Sequence, residues 1–212
     1  MLDATVTLWG YEILWLDIIG TVLGLFYVWL EYKANVWLWP VGVVMPIVHG
    51  YVYLARGLYA DFALEFYYVA AAAYGWAVWS LGRRDKAADD SPIVHGTTRQ
   101  FAAMAVATLV LWGIIRWLLV TFTDSTVPTL DALTTALSVV AMWALAHKIV
   151  EQWLLWLVVD AISAGLYVYK QIPFTAALYG LYTIMAVAGY LRWKRLASHP
   201  NIFSETQEYK NI

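Results

Sequence analysis

Apolar residues come in seven long runs, each about the length of a helix that crosses a bilayer. A helix rises 1.5 Å per residue, so about 20 apolar residues span the hydrocarbon core. On that rule the spans run over Ile13–Leu30, Val36–Leu54, Ala60–Ser80, Gln100–Thr121, Leu130–Ala146, Gln152–Tyr169 and Phe174–Trp193. The pattern predicts an all-α polytopic membrane protein with seven transmembrane helices.

The sixth run carries a single acid, Asp160, at its middle. An ionised group at the bilayer centre costs about 2.5–3.5 kcal/mol on insertion scales, so such a carboxylate is a site hypothesis by default. The helical face through this acid is aromatic and polar, and it holds Trp153, Trp156, Asp160, Ser163 and Tyr167. We expect this face to lie against protein or a wet cavity, because a polar face is costly in lipid.

The first three runs and the last three repeat one another at a shift of 114 positions (131 − 17). Matched pairs at that shift are Asp17 with Asp131, Trp29 with Trp143, Trp39 with Trp153, Tyr53 with Tyr167, Tyr68 with Tyr182, Gly75 with Gly189 and Trp79 with Trp193. The fourth run then serves as a connector, which gives a parallel 3+1+3 repeat like that of the SWEETs, with substrate held near the midplane. The predicted parts are residues 1–81, 82–125, 126–195 and a cytoplasmic tail, 196–212.

Lys and Arg residues concentrate in the loops after spans one, three and five and at the C-terminus. Cytoplasmic loops carry an excess of these residues. The charge pattern therefore predicts an N-terminus outside and a C-terminus inside.

Composition supports the membrane class and removes several others. The chain is 62% hydrophobic and 13% charged, whereas soluble chains average about 25% charged residues. It has no cysteine, so thiolate chemistry and cysteine metal sites are excluded. The motifs of zinc proteases, serine hydrolases and P-loop ATPases are absent from the sequence. We expect no enzyme activity, no cofactor, no metal and no nucleic-acid partner.

The repeat lets each polar residue be compared with its counterpart in the other half. Asp160 corresponds to Pro46, which acts either as a hinge or as a tolerated packing residue. His49 corresponds to Ser163, and it is either a ligand contact or a satisfied structural histidine. Ser138 offers a hydroxyl to a ligand or to a neighbouring helix.

The third span of each half carries a further pair of candidate residues. Glu65 and Tyr68 correspond to Tyr179 and Tyr182, and each pair shares one helical face. The alternative for Glu65 is an interfacial carboxylate partnered by Arg56. The alternative for Asp160 is a neutral, hydrogen-bonded acid in the packing. Carboxylates in a low-dielectric site attract a cation, and aromatic faces attract a flat or quaternary one.

Several stretches resemble the Pnu family of bacterial vitamin transporters. They are NVWLWPVG, GLYADFAL and YGWAVW in the first half, and LDALTTALSVVAMWALAHKIVEQWLLWLVVDAISAGLYVYK, TAALY and GYLRWKR in the second. The resemblance implies a SWEET-like fold in the inner membrane and facilitated diffusion of thiamine or nicotinamide riboside, with a cytoplasmic kinase trapping the product. The family's binding positions fall on Glu65, Asp160 and the face of Tyr179 and Tyr182.

The chain departs from the nicotinamide-riboside branch of that family at three positions. That branch has Asn in place of Asp160, Gln in place of Glu65 and Asn in place of Ala188. The departures favour the thiamine-type branch, with nicotinamide riboside as the alternative and a proton-coupled symporter as a further mechanism. Expected partners are the vitamin and the bilayer, and a homo-oligomer is left open.

Overall fold

The computed structural model describes residues 5–8, 11–55, 59–81, 93–169 and 173–198. Two short strands come first, and they are followed by seven helices. The elements are β1 Thr5–Leu8, β2 Tyr11–Leu14, α1 Trp15–Tyr32, α2 Leu38–Ala55, α3 Tyr59–Leu81, α4 Thr98–Phe122, α5 Pro128–Ala146, α6 Gln152–Tyr169 and α7 Pro173–Ser198. The seven predicted helices are confirmed, with ends that differ from the predicted ones by at most a few residues.

The N-terminal hairpin corrects the prediction of a purely helical chain. Strands β1 and β2 pair antiparallel, with Thr5 opposite Leu14 and Leu8 opposite Tyr11. Their residues are mostly Thr, Val, Leu, Ile and Tyr, and β-branched and aromatic residues favour strands. The apolar periodicity that begins at Ile13 therefore starts inside a strand, and the first helix begins only at Trp15.

In the part of the chain that the structure describes, four helices, α4 to α7, are long and apolar enough to cross a membrane by length and composition. Shorter apolar stretches occupy Ile18–Tyr32 of α1 and Leu38–Val48 of α2 within the described residues. Helix α4 begins at a capping box, in which Thr97 and Gln100 each bond the other's backbone N–H. This cap explains why α4 starts at Thr98, two residues before the predicted Gln100.

The chain divides into two compact units, Met1–Trp76 and Ala77–Ile212. In the first unit α1 packs against α2, and the buried side chains include Leu30, Leu38 and Trp39. In the second unit α5 packs against α4 and α6, and α6 packs against α7. The buried face of α5 consists mostly of small side chains, which permit close helix approach. These residues are Ala132, Ala136, Val140 and Ala144.

The turn after α1 and the turn after α5 have the same hydrogen bonds. Asn35 donates to the Leu30 carbonyl at 2.9 Å, and Ile149 donates to the Ala144 carbonyl at 3.0 Å. These bonds, with their inner partners, form a Schellman motif, which needs a left-handed residue just past the helix. Ala34 and Lys148 fill that position, each at φ 52. The two residues are 114 positions apart, as the repeat predicts.

A tryptophan–glycine contact also occurs once in each unit at equivalent positions. A Cβ atom added to Gly189 would lie 2.6 Å from three ring atoms of Trp153. A Cβ added to Gly75 would collide with the ring of Trp39 in the same way. In both units the missing side chain lets a buried indole lie directly on a helix backbone.

The segment before α4 is attached to the turn between α5 and α6. Val94 donates to the Lys148 carbonyl at 3.1 Å and accepts from the Val150 N–H at 2.9 Å. Lys148 itself is buried, and its Nζ lies 4.6 Å from the ring centroid of Trp79. We call residues 93–97 the strap, because they hold the beginning of the helix that carries Asp160.

Candidate functional site

The polar face of α6 is turned into the second unit. Asp160 is 7% exposed and Ser163 is 8% exposed, whereas Val158 and Val168 on other faces are 44% and 67% exposed. The helix therefore presents its aliphatic side chains outward, where lipid would solvate them, and it hides its acid. This agrees with the predicted face, which the alternation of residue types along the run indicated.

The Asp160 carboxyl lacks a charge partner within the described residues. No described side chain donates a hydrogen bond to it or forms an ion pair with it. The Tyr182 side chain on α7 lies within electrostatic reach of this carboxyl. The alternative of a hydrogen-bonded acid satisfied within the packing thus has no donor in the described part of the unit.

Three tyrosines form a continuous aromatic series beside the acid. The rings of Tyr167 and Tyr179 stack with centroids 5.2 Å apart and an interplanar angle of 24°. Tyr179 then meets Tyr182 edge to face at 5.8 Å. The series joins α6 to α7, so helix packing brings together residues that are well separated in the sequence. Its ring faces offer a surface on which a flat cation can stack.

Two tryptophans on the same face of α6 have buried indole N–H groups. For both Trp153 and Trp156, the indole nitrogen has no hydrogen-bond acceptor among the described residues. Trp153 is fully packed, between Gly189 and Trp193, whose ring lies 5.8 Å away. Trp156 lies one turn before Asp160, so its N–H is a donor that a ligand near the acid could use.

The hydroxyl of Ser138 on α5 is engaged by its own helix. It is buried, and it donates to the Thr134 carbonyl at 2.8 Å. A hydroxyl that donates in this way keeps its lone pairs for accepting a hydrogen bond. Ser138 therefore remains a candidate acceptor, and its donor is used within α5.

The remaining predicted residues belong to the first unit. Tyr68 lies within electrostatic reach of Glu65, and its ring meets that of Tyr67 at 5.6 Å. Pro46 lies inside α2, which continues on both sides of it. The side chain of His49 lies outside the described residues. A joint site of both halves stays a prediction.

Residues 81–99 lie between the predicted third and fourth spans, and the apolar pattern gave no sign that the strap contacts Glu151. His95 Nδ1 lies 2.7 Å from Glu151 Oε1, and the Gly96 N–H donates to Oε2 at 3.0 Å. Burial raises the pKa of the Glu151 carboxyl, but the bonds from Gly96 and His95 outweigh burial and leave that pKa below its ordinary value. The sequence T-x-x-Q from Thr97 to Gln100 is a capping-box pattern that could have predicted the start of α4. It gives no information about the bond to Glu151.

These features define a class: a multi-pass membrane protein whose helices enclose an acid and an aromatic wall. Among the described residues, no group of three or more His, Asp or Glu side chains could hold a metal ion. A buried acid beside aromatic rings is an arrangement that can bind a small cation.

The chain belongs to the family described as nicotinamide mononucleotide transporter, whose model matches residues 14–195. It is 30% identical to the riboflavin/roseoflavin transporter RibM of Streptomyces davaonensis, over 88% of this chain and 87% of that protein. It is 24% identical to the nicotinamide riboside transporter PnuC of Escherichia coli, over 87% of each. A crystal structure of the vitamin B3 transporter PnuC has a TM-score of 0.68 and 26% identity, over 87% of this chain and 83% of that chain.

The family match confirms the predicted resemblance and the class. The protein is a vitamin transporter of the Pnu family in the bacterial cytoplasmic membrane, and it is not an enzyme. The preference for the thiamine-type branch is not supported, because the relatives carry riboflavin and nicotinamide riboside in their names. The lack of Asn or Gln at positions 160, 65 and 188 is therefore not enough to assign the chain to the thiamine-type branch.

Proposed function

We propose that this protein carries nicotinamide riboside into the cell. The observation that supports this most directly is the buried Asp160 carboxyl, which has no cationic partner among the described residues. The pyridinium ring of nicotinamide riboside is flat and permanently positive, so it can meet both the acid and the tyrosine series. PnuC proteins, which share this fold and sequence family, are named for the same substrate.

In this proposal each predicted site residue has a physical role. Asp160 and Glu65 supply negative charge, and the aromatic side chains Tyr68, Trp156, Tyr167, Tyr179 and Tyr182 supply stacking faces and polar tips. The polar groups of His49, Ser138 and Ser163 are assigned to the ribose hydroxyls, which form hydrogen bonds in both directions. Pro46 is assigned as a hinge in α2.

We further propose a SWEET-like parallel 3+1+3 arrangement with the N-terminus outside and the C-terminus inside. Support comes from the identical Schellman turns at Ala34 and Lys148 and from the matching tryptophan–glycine contacts. Because the chain has no cysteine, single cysteines can test the orientation. A cysteine at Asp124 should react with an impermeant maleimide from outside, and one at Lys194 only after lysis; the reverse pattern would refute the orientation.

We propose that the vitamin moves by facilitated diffusion, and that cytoplasmic phosphorylation keeps it inside. The sequence supplies no nucleotide-binding motif that could power uptake. Riboflavin is a second candidate substrate, favoured by the 30% identity to RibM. Its isoalloxazine ring is flat but neutral, so it would use the aromatic wall more than the acid.

The test is uptake by purified protein in liposomes with labelled nicotinamide riboside, riboflavin and thiamine. We expect saturable uptake of nicotinamide riboside that the Asp160→Asn variant weakens. The control is Asp124→Asn, which neutralises an exposed acid in the loop between α4 and α5. Uptake of riboflavin alone, with no change in Asp160→Asn, would replace the proposal by the second candidate.

A further inference from the structure

An arginine near the end of α4 lies on the exposed side of that helix. Arg116 is exposed, and so are its neighbour Trp117 and Val120 one turn further on, which are 59% and 56% exposed. Neither the polar face of α6 nor the strap includes this residue. We propose that Arg116 is the centre of a binding site for an anionic phospholipid of the surrounding membrane.

The position of Arg116 along α4 brings it close to one edge of the hydrocarbon layer. It comes 18 residues (116 − 98) after Thr98, the first residue of the helix, and 18 residues rise about 27 Å. The hydrocarbon core of a bilayer is about 30 Å thick, and the headgroups lie just beyond it. An arginine side chain at this depth extends its charged end to the headgroups. The guanidinium group of Arg116 is therefore at the level of the lipid phosphates.

The beginning of α5 holds this guanidinium group in place. Arg116 Nε donates to the hydroxyl of Thr129 at 3.1 Å. Trp112, one turn earlier in α4, donates its indole N–H to the Thr129 carbonyl at 3.0 Å. An anchored side chain loses less conformational entropy on binding a ligand than a freely rotating one. The contact with Thr129 thus prepares Arg116 for a bound headgroup.

The other N–H groups of Arg116 suit a phosphate. A guanidinium has five N–H donors in one plane, and the bond to Thr129 uses the one on Nε. The four donors on the two Nη atoms can contact two phosphate oxygens in a bidentate manner. Phosphatidylglycerol carries an unbalanced negative charge, whereas phosphatidylcholine neutralises its phosphate with its own ammonium group. The site should therefore prefer phosphatidylglycerol.

The surface of α4 next to Arg116 has room for an acyl chain. Leu109, two turns earlier, is 63% exposed. At Gly113, which lies between them, an added Cβ would meet nothing within 4 Å. The glycine leaves a shallow gap between apolar side chains, directly beside the cation. Every residue of this site belongs to α4 or α5, so the site does not depend on the first unit.

The test measures lipid binding to the purified full-length protein in detergent by native mass spectrometry. We expect one phosphatidylglycerol molecule to bind about fivefold more tightly than phosphatidylcholine. Arg116→Gln should abolish this preference, and Arg116→Lys should keep part of it, because lysine has the charge without the planar fork. An excess of inorganic phosphate should not displace the lipid, because free phosphate has no acyl chains.

Arg99→Gln is the matched control for charge, since it removes an exposed cation from the first turn of the same helix. This variant should retain the tightly bound phosphatidylglycerol. Thr129→Val leaves the charge unchanged and removes the anchoring hydroxyl, so it should bind phosphatidylglycerol more weakly than Thr129→Ser.

Equal affinities of the wild type for phosphatidylglycerol and phosphatidylcholine would overturn the proposal, and so would a preference that survives in Arg116→Gln. Displacement of the lipid by inorganic phosphate would overturn a lipid as the ligand. The comparison of the two lipids needs only the wild type, so it decides the matter even if Arg116→Gln fails to fold. None of these outcomes depends on which vitamin the protein carries.

Discussion

The indole of Trp153 on α6 lies directly against the backbone of Gly189 on α7, where an added Cβ would meet three ring atoms at 2.6 Å. Atoms cannot approach so closely, so Gly189→Ala must displace a fully packed ring. Overpacking of this kind costs about 1–3 kcal/mol. We expect a lower Tm for Gly189→Ala in detergent, and also reduced transport, because Trp153 begins the face that carries Asp160.

Gly180→Ala is the matched control for that substitution. It lies in the same helix, and a Cβ there would meet nothing within 4 Å. Alanine favours a helix over glycine by about 1 kcal/mol, so this variant should be as stable as the wild type or slightly more so. Equal Tm values for Gly189→Ala and Gly180→Ala would contradict the contact.

Ala34 occupies a left-handed position at which glycine is the usual residue. The left-handed conformation costs a residue with a Cβ about 1–2 kcal/mol, while glycine adds about 0.5–1 kcal/mol of unfolded-state entropy. Ala34→Gly should therefore be neutral or stabilise the protein by up to about 1 kcal/mol. Thermal melts should show an unchanged or higher Tm.

The comparison for Ala34→Gly is Ala141→Gly, in the middle of α5. Ala141 is fully buried in a helix, so glycine there loses helix propensity and a packed methyl group. The expected cost is at least about 1 kcal/mol. If both variants were destabilised equally, the left-handed turn after α1 would not be formed.

Tyr179 is the central ring of the tyrosine series, and it contacts both Tyr167 and Tyr182. Replacing it with leucine keeps the apolar bulk and removes the aromatic face. A cation–π contact is worth about 0.5–2 kcal/mol, which corresponds to about a 2- to 30-fold loss of affinity for nicotinamide riboside. Equilibrium binding to the purified protein measures this. Tyr169→Leu is the control, since that residue is 72% exposed and should bind normally.

The bonds between Glu151 and the strap should make the stability of the folded protein depend on pH in the acid range. Its folded-state pKa lies below the ordinary value of 4.5, so its contribution is present above that pH and is lost as pH falls through the folded value. Glu151→Gln should lower the Tm at pH 7 and should reduce the difference in Tm between pH 7 and pH 4. A drop in Tm between these pH values as large as that of the wild type would show that other carboxylates cause the acid dependence.

The His95 partner of that bond offers an independent check. His95→Ala removes the contact at Glu151 Oε1 but leaves the Gly96 N–H bond to Oε2. We expect an intermediate loss of stability, between those of the wild type and Glu151→Gln. A loss in His95→Ala larger than that of Glu151→Gln would indicate that His95 stabilises the strap by another contact.

The order of apolar and polar residues was enough to predict the seven helices, because a lipid-spanning helix needs a long uninterrupted apolar run. It also located the 114-residue shift and the polar face of α6, since both are periodic in the chain. The limits of α6, Gln152–Tyr169, follow from its apolar run alone. The N-terminal hairpin escaped this reasoning, because four-residue strands leave little periodic signal.

The partners of the side chains become visible only in the folded protein. The strap bond to Glu151, the Trp153 ring on Gly189 and the absence of a cation beside Asp160 among the described residues all depend on helix packing. Contacts between residues far apart in the chain are set by the angles and depths at which helices meet. A linear pattern fixes which face of a helix is buried, but it does not fix what that face touches.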